Sequence, residues 1–226
     1  MRPYHKINII ESGEILVKIP LELFAVETPH PYEKLGANYG KYSPYFLRKT
    51  VVEKLIAAQN YLHSLHPDWY IQIFDAYRPV AVQQFMVDYS FAQAVTEKEL
   101  KKSDLSPQEL AAIWQQVYDI WAVPSLDMNT PPPHSTGAAV DITLVNNHGE
   151  VVNMGSPIDE MSDRSYPDFF INKNPEFHQL RQLLNDVMMQ VGFTRNPREW
   201  WHFSYGDQMW AWLSHQPTAI YGRLVL

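Results

Sequence analysis

The chain has 226 residues, 46% of them hydrophobic and 19% charged, which excludes an intrinsically disordered protein and allows one sizeable core. Its formal net charge of −7 argues against nucleic acid as a main partner, because phosphate binding needs a basic surface. The sequence has no cysteine, so disulfides and cysteine-based zinc sites are excluded, and a transition metal would need His, Asp or Glu ligands.

The N-terminal residues show no targeting signal. Residues 1–20 lack the apolar stretch of about 7–15 residues that a secretory signal needs. No later stretch approaches the roughly 18 consecutive apolar residues of a membrane span. We therefore expect a cytoplasmic protein with no membrane span, and the sequence indicates no particular oligomeric state.

The first half of the chain predicts strands and helices in alternation. An alternating apolar pattern predicts a strand at 14–19. Apolar residues at helical spacing, from Phe46 to Leu62, predict a helix that begins near Ser43 and ends before Pro67. Aromatic and β-branched residues then predict a strand over 68–79, and a helix follows over 80–96.

The second half completes an α+β pattern. A capping box at 106–109 predicts a helix that ends near Trp121. Residues 138–155 predict a hairpin that turns at 147–149, and Asn174 begins a helix that ends near Gly192. The last strand is predicted at 200–205. We expect a single domain over 1–226, with an antiparallel central sheet flanked by helices.

Residues 131–144 (PPPHSTGAAVDITL) place a histidine before a turn and an aspartate in an otherwise apolar strand. Gly137 permits the turn, and Asp141 then shares a strand face with Ala139 and Thr143. A buried aspartate is costly unless it is paired or bound to a metal. His134 and Asp141 could converge on one point, although the spacing alone is more typical of a surface histidine and a hydrogen-bonded aspartate.

Residues 199–202 (EWWH) form a second pattern. Glu199 and His202 would face opposite sides of an ideal strand, so they can meet only if Glu199 belongs to the incoming loop. The alternative is that the two tryptophans are core residues and the histidine is a hydrogen-bonded neighbour.

Combined, the two patterns give His134, Asp141 and His202. Two histidines and one carboxylate with an open fourth position are typical of catalytic zinc, and a nearby glutamate such as Glu199 can accept a proton from the metal's water. The same ligand set can hold other divalent ions.

Four segments resemble one known family. HSTGAAVD at 134–141 and EWWH at 199–202 resemble the zinc motif pair of the D-alanyl-D-alanine dipeptidases. DAYRP at 75–79 and MGSPIDEMSDRS at 154–165 resemble the same family. The resemblance implies a Hedgehog/D,D-peptidase-like fold and a zinc metallopeptidase that hydrolyses D-alanyl-D-alanine, a dipeptide of peptidoglycan metabolism, to two D-alanines.

The resemblance also implies a role for each matching residue. His134, Asp141 and His202 would bind one Zn²⁺ ion per chain. Glu199 would be the general base and acid of the hydrolysis.

Three further residues would contact the reacting dipeptide. Arg78 would stabilise the oxyanion, Asp159 would pair with the free amino group of the substrate, and Tyr39 matches a substrate-contacting tyrosine. Pro132 stands where relatives commonly have a serine that contacts the substrate.

Two alternative functions remain open at this point. A zinc D,D-carboxypeptidase that trims peptidoglycan stem peptides would use the same chemistry, but it needs an open cleft and a secretion route. A non-catalytic, zinc-stabilised binding module of the same fold would need neither Glu199 nor Arg78. The presence of both residues favours the dipeptidase.

Overall fold

The computed structural model describes residues 2–98 and 101–224. Within them the strands are β1 (Asn8–Ile9), β2 (Leu16–Lys18), β3 (Ala25–Val26), β4 (Phe46–Arg48), β5 (Tyr70–Asp75), β6 (Ala139–Val145), β7 (Thr194–Arg195), β8 (His202–Ser204) and β9 (Thr218–Ala219). The α-helices are α1 (Pro31–Lys34), α2 (Lys49–Leu65), α3 (Val80–Glu97), α4 (Pro107–Ile120), α5 (Pro175–Gln190) and α6 (Gln208–Leu213).

The central sheet has five strands in the order β3-β5-β6-β8-β7. Its β5–β6, β6–β8 and β8–β7 pairs are antiparallel, whereas the edge strand β3 pairs with β5 in parallel. Outside this sheet, β2 pairs with β4 and β1 pairs with β9. The predicted α+β class with an antiparallel sheet centre is confirmed, and a parallel edge strand is added to it.

Strand β6 has one apolar face and one polar face. Its residues Val140, Ile142 and Leu144 are fully buried in a core that includes residues of α2 and α5. Asp141 and Thr143 alternate with them and therefore point to the other side of the sheet, because successive side chains of a strand face opposite sides.

A bulge in β5 brings a second aspartate to the polar side. Ile73 pairs with Ile142, but the register then shifts so that Asp75 pairs with Asp141. The extra residue changes the face to which the end of the strand points. Asp75 is fully buried and lies beside Asp141 in the ladder.

The long helices follow the sequence prediction with one correction. Helices α3, α4 and α5 are confirmed, including the capping box at Ser106 and the Asn174 cap. The helix predicted from Ser43 is wrong over its first turn, because Phe46–Arg48 is strand β4, paired with β2, and α2 begins at Lys49. No helix within the described residues is long and apolar enough to cross a membrane.

Arg48 joins distant parts of the chain at the start of α2. Its guanidinium is 1% exposed and donates to the Thr136 carbonyl at 2.8 Å, to both carboxylate oxygens of Glu11 and to the Gly222 carbonyl at 3.0 Å. These bonds fix the turn at Pro133–Thr136, which carries a predicted metal ligand, against both terminal segments.

Hydrogen bonds to buried side chains hold the loop that follows β6. Ser156 accepts from Trp200 Nε1 at 2.9 Å and from Arg181 Nη2 at 3.0 Å. Gly155 precedes it with φ +86°, and a Cβ atom there would lie 2.5 Å from Phe170 and 2.6 Å from Phe177. Only glycine fits both this backbone angle and this space.

We expect Gly155→Ala to destabilise the protein. The positive φ costs about 1–2 kcal/mol for a residue with Cβ, and overpacking against the two phenylalanines adds about 1–3 kcal/mol. Gly149→Ala is the matched control, since Gly149 has φ +75° and no atom within 4 Å of the added Cβ. Urea unfolding would measure both variants, and equal losses would contradict the predicted steric cost.

Candidate metal centre and active site

The three predicted ligands come from three elements that meet at the polar face of β6. His134 lies in the single-turn 3-10 helix Pro133–Thr136, which ends at Gly137 with φ +70°. Asp141 lies on β6, and its ladder partner on β8 is His202. The turn therefore brings His134 back over the strand, while antiparallel pairing places Asp141 beside His202.

The donor atoms of these residues converge on one point. His134 Nε2 lies 3.1 Å from His202 Nδ1 and 3.2 Å from Asp141 Oδ2, and His202 Nδ1 lies 3.0 Å from Asp141 Oδ1. One donor atom from each residue falls within 4.8 Å of the others, and all three side chains are buried. Burial alone would raise the pKa of Asp141, but the two histidines lower it strongly.

The outer nitrogen of each histidine already has a hydrogen-bond partner. His134 Nδ1 lies 2.8 Å from the Ala76 carbonyl, which can only accept, so this nitrogen carries the proton. His202 Nε2 lies 3.3 Å from Ser204 Oγ, whose own hydrogen goes to Asp207 Oδ2 at 2.9 Å. In the neutral form of each ring, the inner nitrogen then carries the lone pair, and this nitrogen faces the carboxylate.

This arrangement fits a bound Zn²⁺ ion. Two imidazole lone pairs and one carboxylate form a three-ligand set with room for a fourth position. Ligating histidines usually donate their other N–H to a carbonyl or to a hydroxyl–carboxylate pair, as both do here. Sequence reasoning missed Ser204 and Asp207, because Asp207 looks like an ordinary helix cap and does cap α6.

Glu199 lies in the loop before β8, as the sequence interpretation required. Its N–H donates to the Asn196 carbonyl at 3.3 Å, and the Asn196 N–H donates to the His202 carbonyl at 2.9 Å. This turn brings Glu199 Oε2 to 3.6 Å from His202 Nδ1. Burial raises the pKa of Glu199 to about 7.

Arg78 is 4% exposed and points into the site from the end of β5. Its Nε donates to Asp75 at 2.8 Å, its Nη1 to Gln83 at 2.9 Å and its Nη2 to Asp141 at 3.1 Å. The guanidinium also lies 5.0 Å from the centre of the Trp121 ring. These hydrogen bonds and the ring contact fix the position of the guanidinium, which is always charged in proteins.

Asp159 reaches the site from the loop after β6. Its Oδ2 accepts from the Tyr32 hydroxyl at 2.8 Å, and that hydroxyl in turn accepts from Arg78 at 3.1 Å. Burial, with the negative charges of Asp141 and Glu199, raises the pKa of Asp159 to about 8. Asp159 has φ +64°, a backbone strain that proteins retain mainly at functional positions.

Tyr39 differs from its predicted position as a substrate contact. Its hydroxyl donates to Asp75 Oδ1 at 2.9 Å, and the residue is 4% exposed. Among the described residues that line the site cavity, Tyr39 is absent. The bulge in β5 turns Asp75 towards both Tyr39 and Arg78. Tyr39 therefore hydrogen-bonds to Asp75, and Asp75 in turn accepts from Arg78.

The remaining predicted site residues share one cavity of about 280 Å³. Its wall includes all the predicted ligands together with Glu199, Arg78 and Asp159. The structure therefore collects, around one cavity, a metal-ligand set, two carboxyl groups with raised pKa values and a fixed guanidinium.

Comparison with known proteins gives a consistent result. The family described as D-ala-D-ala dipeptidase matches residues 26–219. A D-alanyl-D-alanine dipeptidase of Synechocystis sp. is 48% identical over 240 residues, which cover 99% of this chain and 97% of that relative. One of Enterococcus faecalis is 29% identical over 162 residues, covering 71% of this chain and 73% of that relative.

A solved structure of VanYB in complex with D-Alanine-D-Alanine also aligns with the chain. The two are 16% identical with a TM-score of 0.47, and the alignment covers 87% of this chain and 93% of that one.

We expect His202→Ala to lose zinc. Removing a ligand should weaken zinc binding more than about 100-fold, because mutation of a residue that only hydrogen-bonds to a ligand already lowers metal affinity about 10–100-fold. The matched control is His148→Ala, whose exposed side chain lies in the turn after β6. Zinc content after dialysis, measured by mass spectrometry, would test this, and equal retention by both variants would contradict the assigned ligand set.

Proposed function

The chain belongs to the D-Ala-D-Ala dipeptidase family, and from this premise we propose which of its residues hydrolyse D-alanyl-D-alanine to two D-alanines. The observation that carries the proposal is the meeting of His134, Asp141 and His202 with Glu199 and Arg78 around one buried cavity. A binding module stabilised by zinc would need only the first three of these residues.

Zn²⁺ is the cofactor of this reaction. His134 Nε2, His202 Nδ1 and an oxygen of Asp141 would hold it, since these atoms already face one another. When bound, the ion polarises the scissile carbonyl and acidifies water. The other residues of the cavity then handle the proton and the charges of the dipeptide.

Glu199 transfers the proton. Its carboxylate accepts a proton from the attacking water as the oxygen bonds to the carbonyl carbon. It then donates this proton to the leaving nitrogen as the C–N bond breaks, which gives a carboxylic acid and an amine. The second hydrogen of the water leaves the acid as a proton that the amine takes up, so the final products are a carboxylate and an ammonium group. A pKa near 7 suits a group that must both accept and donate at neutral pH.

Arg78 stabilises the oxyanion that forms on the carbonyl oxygen. A guanidinium that is already oriented needs no reorganisation when charge develops. Asp75, Gln83 and Asp141 hold it through separate nitrogen atoms. We propose that Tyr39 contributes indirectly, through its hydrogen bond to Asp75.

Asp159 pairs with the free ammonium group of the dipeptide. Asp159 is half-buried and its carboxyl group has a raised pKa, so an approaching cation would lower that pKa again and stabilise the ionised form. This pairing favours a free dipeptide over a longer stem peptide, in which the same nitrogen is a neutral amide.

Two broader predictions belong with this proposal. The cavity takes residues from Arg2 through Trp212, which supports the prediction that 1–226 act as one zinc peptidase domain. We also propose a cytoplasmic location, which cell fractionation would test.

We expect the zinc-loaded protein to release D-alanine from D-alanyl-D-alanine, and to release no L-alanine from L-alanyl-L-alanine. Glu199→Gln should keep zinc but lose activity by about 10²–10⁴-fold, the typical contribution of general acid–base catalysis. Glu150→Gln, at an exposed position of the hairpin turn, is the control. Faster cleavage of a pentapeptide that ends in D-Ala-D-Ala would favour the carboxypeptidase, and bound zinc without turnover would favour the binding module.

We expect Asp159→Asn to raise KM for D-alanyl-D-alanine by about 10- to 100-fold, because a buried charge-assisted contact is lost. The same change should leave cleavage of the N-acetylated dipeptide nearly unaltered. Asp163→Asn, an exposed acid on the same loop, provides the control. An equal effect on blocked and free dipeptide would contradict the amine-binding role.

A further inference from the structure

Three arginines line the metal cavity, and they differ in their partners. Arg78 is bound by two buried aspartates. Arg198 pairs with Asp119 at 2.7 Å. Arg2 donates from Nη2 to the Tyr118 carbonyl, and within residues 2–98 and 101–224 no carboxylate pairs with it. Arg2 is therefore a half-buried cation on the cavity wall whose charge is not compensated by an ion pair.

The wall beside His134 offers few hydrogen-bond donors. The three prolines at 131–133 have no N–H group, and Pro133 forms part of the lining. The next residue after the histidine, Ser135, already donates its N–H to the Pro132 carbonyl at 3.0 Å and its hydroxyl to the Arg78 carbonyl at 2.8 Å. An anionic group of a ligand must find its donors elsewhere in the cavity.

The N-terminal segment supplies such donors. Its single turn Pro3–Lys6 packs against α6, and Arg2, Pro3 and Tyr4 all line the cavity. Tyr4 is 6% exposed, and burial raises its pKa, so its hydroxyl keeps the proton that it can donate. The segment thus contributes to the cavity wall both an arginine and, within electrostatic reach of it, a tyrosine with a neutral hydroxyl.

We propose that Arg2 binds the free carboxylate of the dipeptide, with the Tyr4 hydroxyl as a neighbouring donor. The inference rests on the proposed function, because its ligand is the D-alanyl-D-alanine zwitterion. An arginine fork matches the two oxygens of a carboxylate, and a buried carboxylate needs such compensation. Arg2 would hold the carboxylate while Asp159 holds the ammonium group.

The position of Glu199 supports this division. Glu199 lines the same cavity as Arg2 and Asp159, and its Oε2 lies 3.6 Å from the ligand nitrogen His202 Nδ1. The group that handles the proton therefore shares one cavity with both proposed anchors.

The test compares two substrates in the wild type and in three variants. D-alanyl-D-alanine carries the carboxylate, and D-alanyl-D-alaninamide replaces it with a neutral amide. In the zinc-loaded wild type, kcat/KM should favour the acid, and Arg2→Gln should reduce this preference by about 10- to 100-fold, mainly through KM. Arg198→Gln, the other cavity arginine outside the catalytic set, should keep the preference.

The outcomes separate this inference from the function on which it rests. An unchanged acid preference in Arg2→Gln, or an equal loss in both variants, would overturn the role of Arg2 while dipeptide hydrolysis stands. A wild type that cleaves acid and amide equally would overturn it as well. A wild type that cleaves neither substrate would contradict the proposed function itself. Arg2→Lys, which keeps the charge but not the fork, should retain part of the preference.

Discussion

The site depends on the need to compensate one buried carboxylate. Asp141 is 2% exposed in the middle of the central sheet, where an unpaired charge would be strongly destabilising. Its oxygens meet His202 at 3.0 Å, Arg78 at 3.1 Å and His134 at 3.2 Å. The hydrogen bonds to Ala76 and Ser204 occupy the outer nitrogen of each histidine, so a divalent cation held by the two inner nitrogens would compensate the carboxylate. The contacts that compensate the buried charge of Asp141 are therefore the same contacts that form the metal-ligand set.

The same strand also joins this site to the hydrophobic core. On β6, the residues that alternate with Asp141 are fully buried against α2 and α5, so the backbone that positions the carboxylate is fixed by packing on its other face. On β5, the bulge adds Asp75 to the polar side, and Asp75 then binds both Arg78 and Tyr39. The catalytic side chains consequently have little freedom of their own, which is what electrostatic preorganisation requires.

The sequence predicted those features whose signals are local. Alternation in β6, the capping box at Ser106 and the loop position of Glu199 all follow from short stretches of residues. Features that depend on distant contacts were not predicted. Phe46 has helical spacing, yet pairing with β2 makes it a strand residue. Tyr39 matches a substrate contact by pattern, yet its hydroxyl meets Asp75, because a bulge cannot be read from residue spacing. Ser204 and Asp207, which lie on the outer side of His202, likewise form no sequence pattern that would have identified them.

Asp159 and Arg2, which line the same cavity, also explain why a small zwitterion would suit it. Asp159 has a φ of +64° and a pKa raised to about 8, so an approaching cation would stabilise its ionised form. Arg2 presents the opposite case, a cation with a carbonyl partner and no carboxylate among the described residues. A ligand that brings an ammonium group to Asp159 and a carboxylate to Arg2 would supply both missing opposite charges at once. Under the proposed roles of Asp159 and Arg2, a peptide blocked at either end would satisfy only one of the two residues. The free energy of selection would then come from the two terminal charges of the dipeptide rather than from contacts to its small methyl side chains.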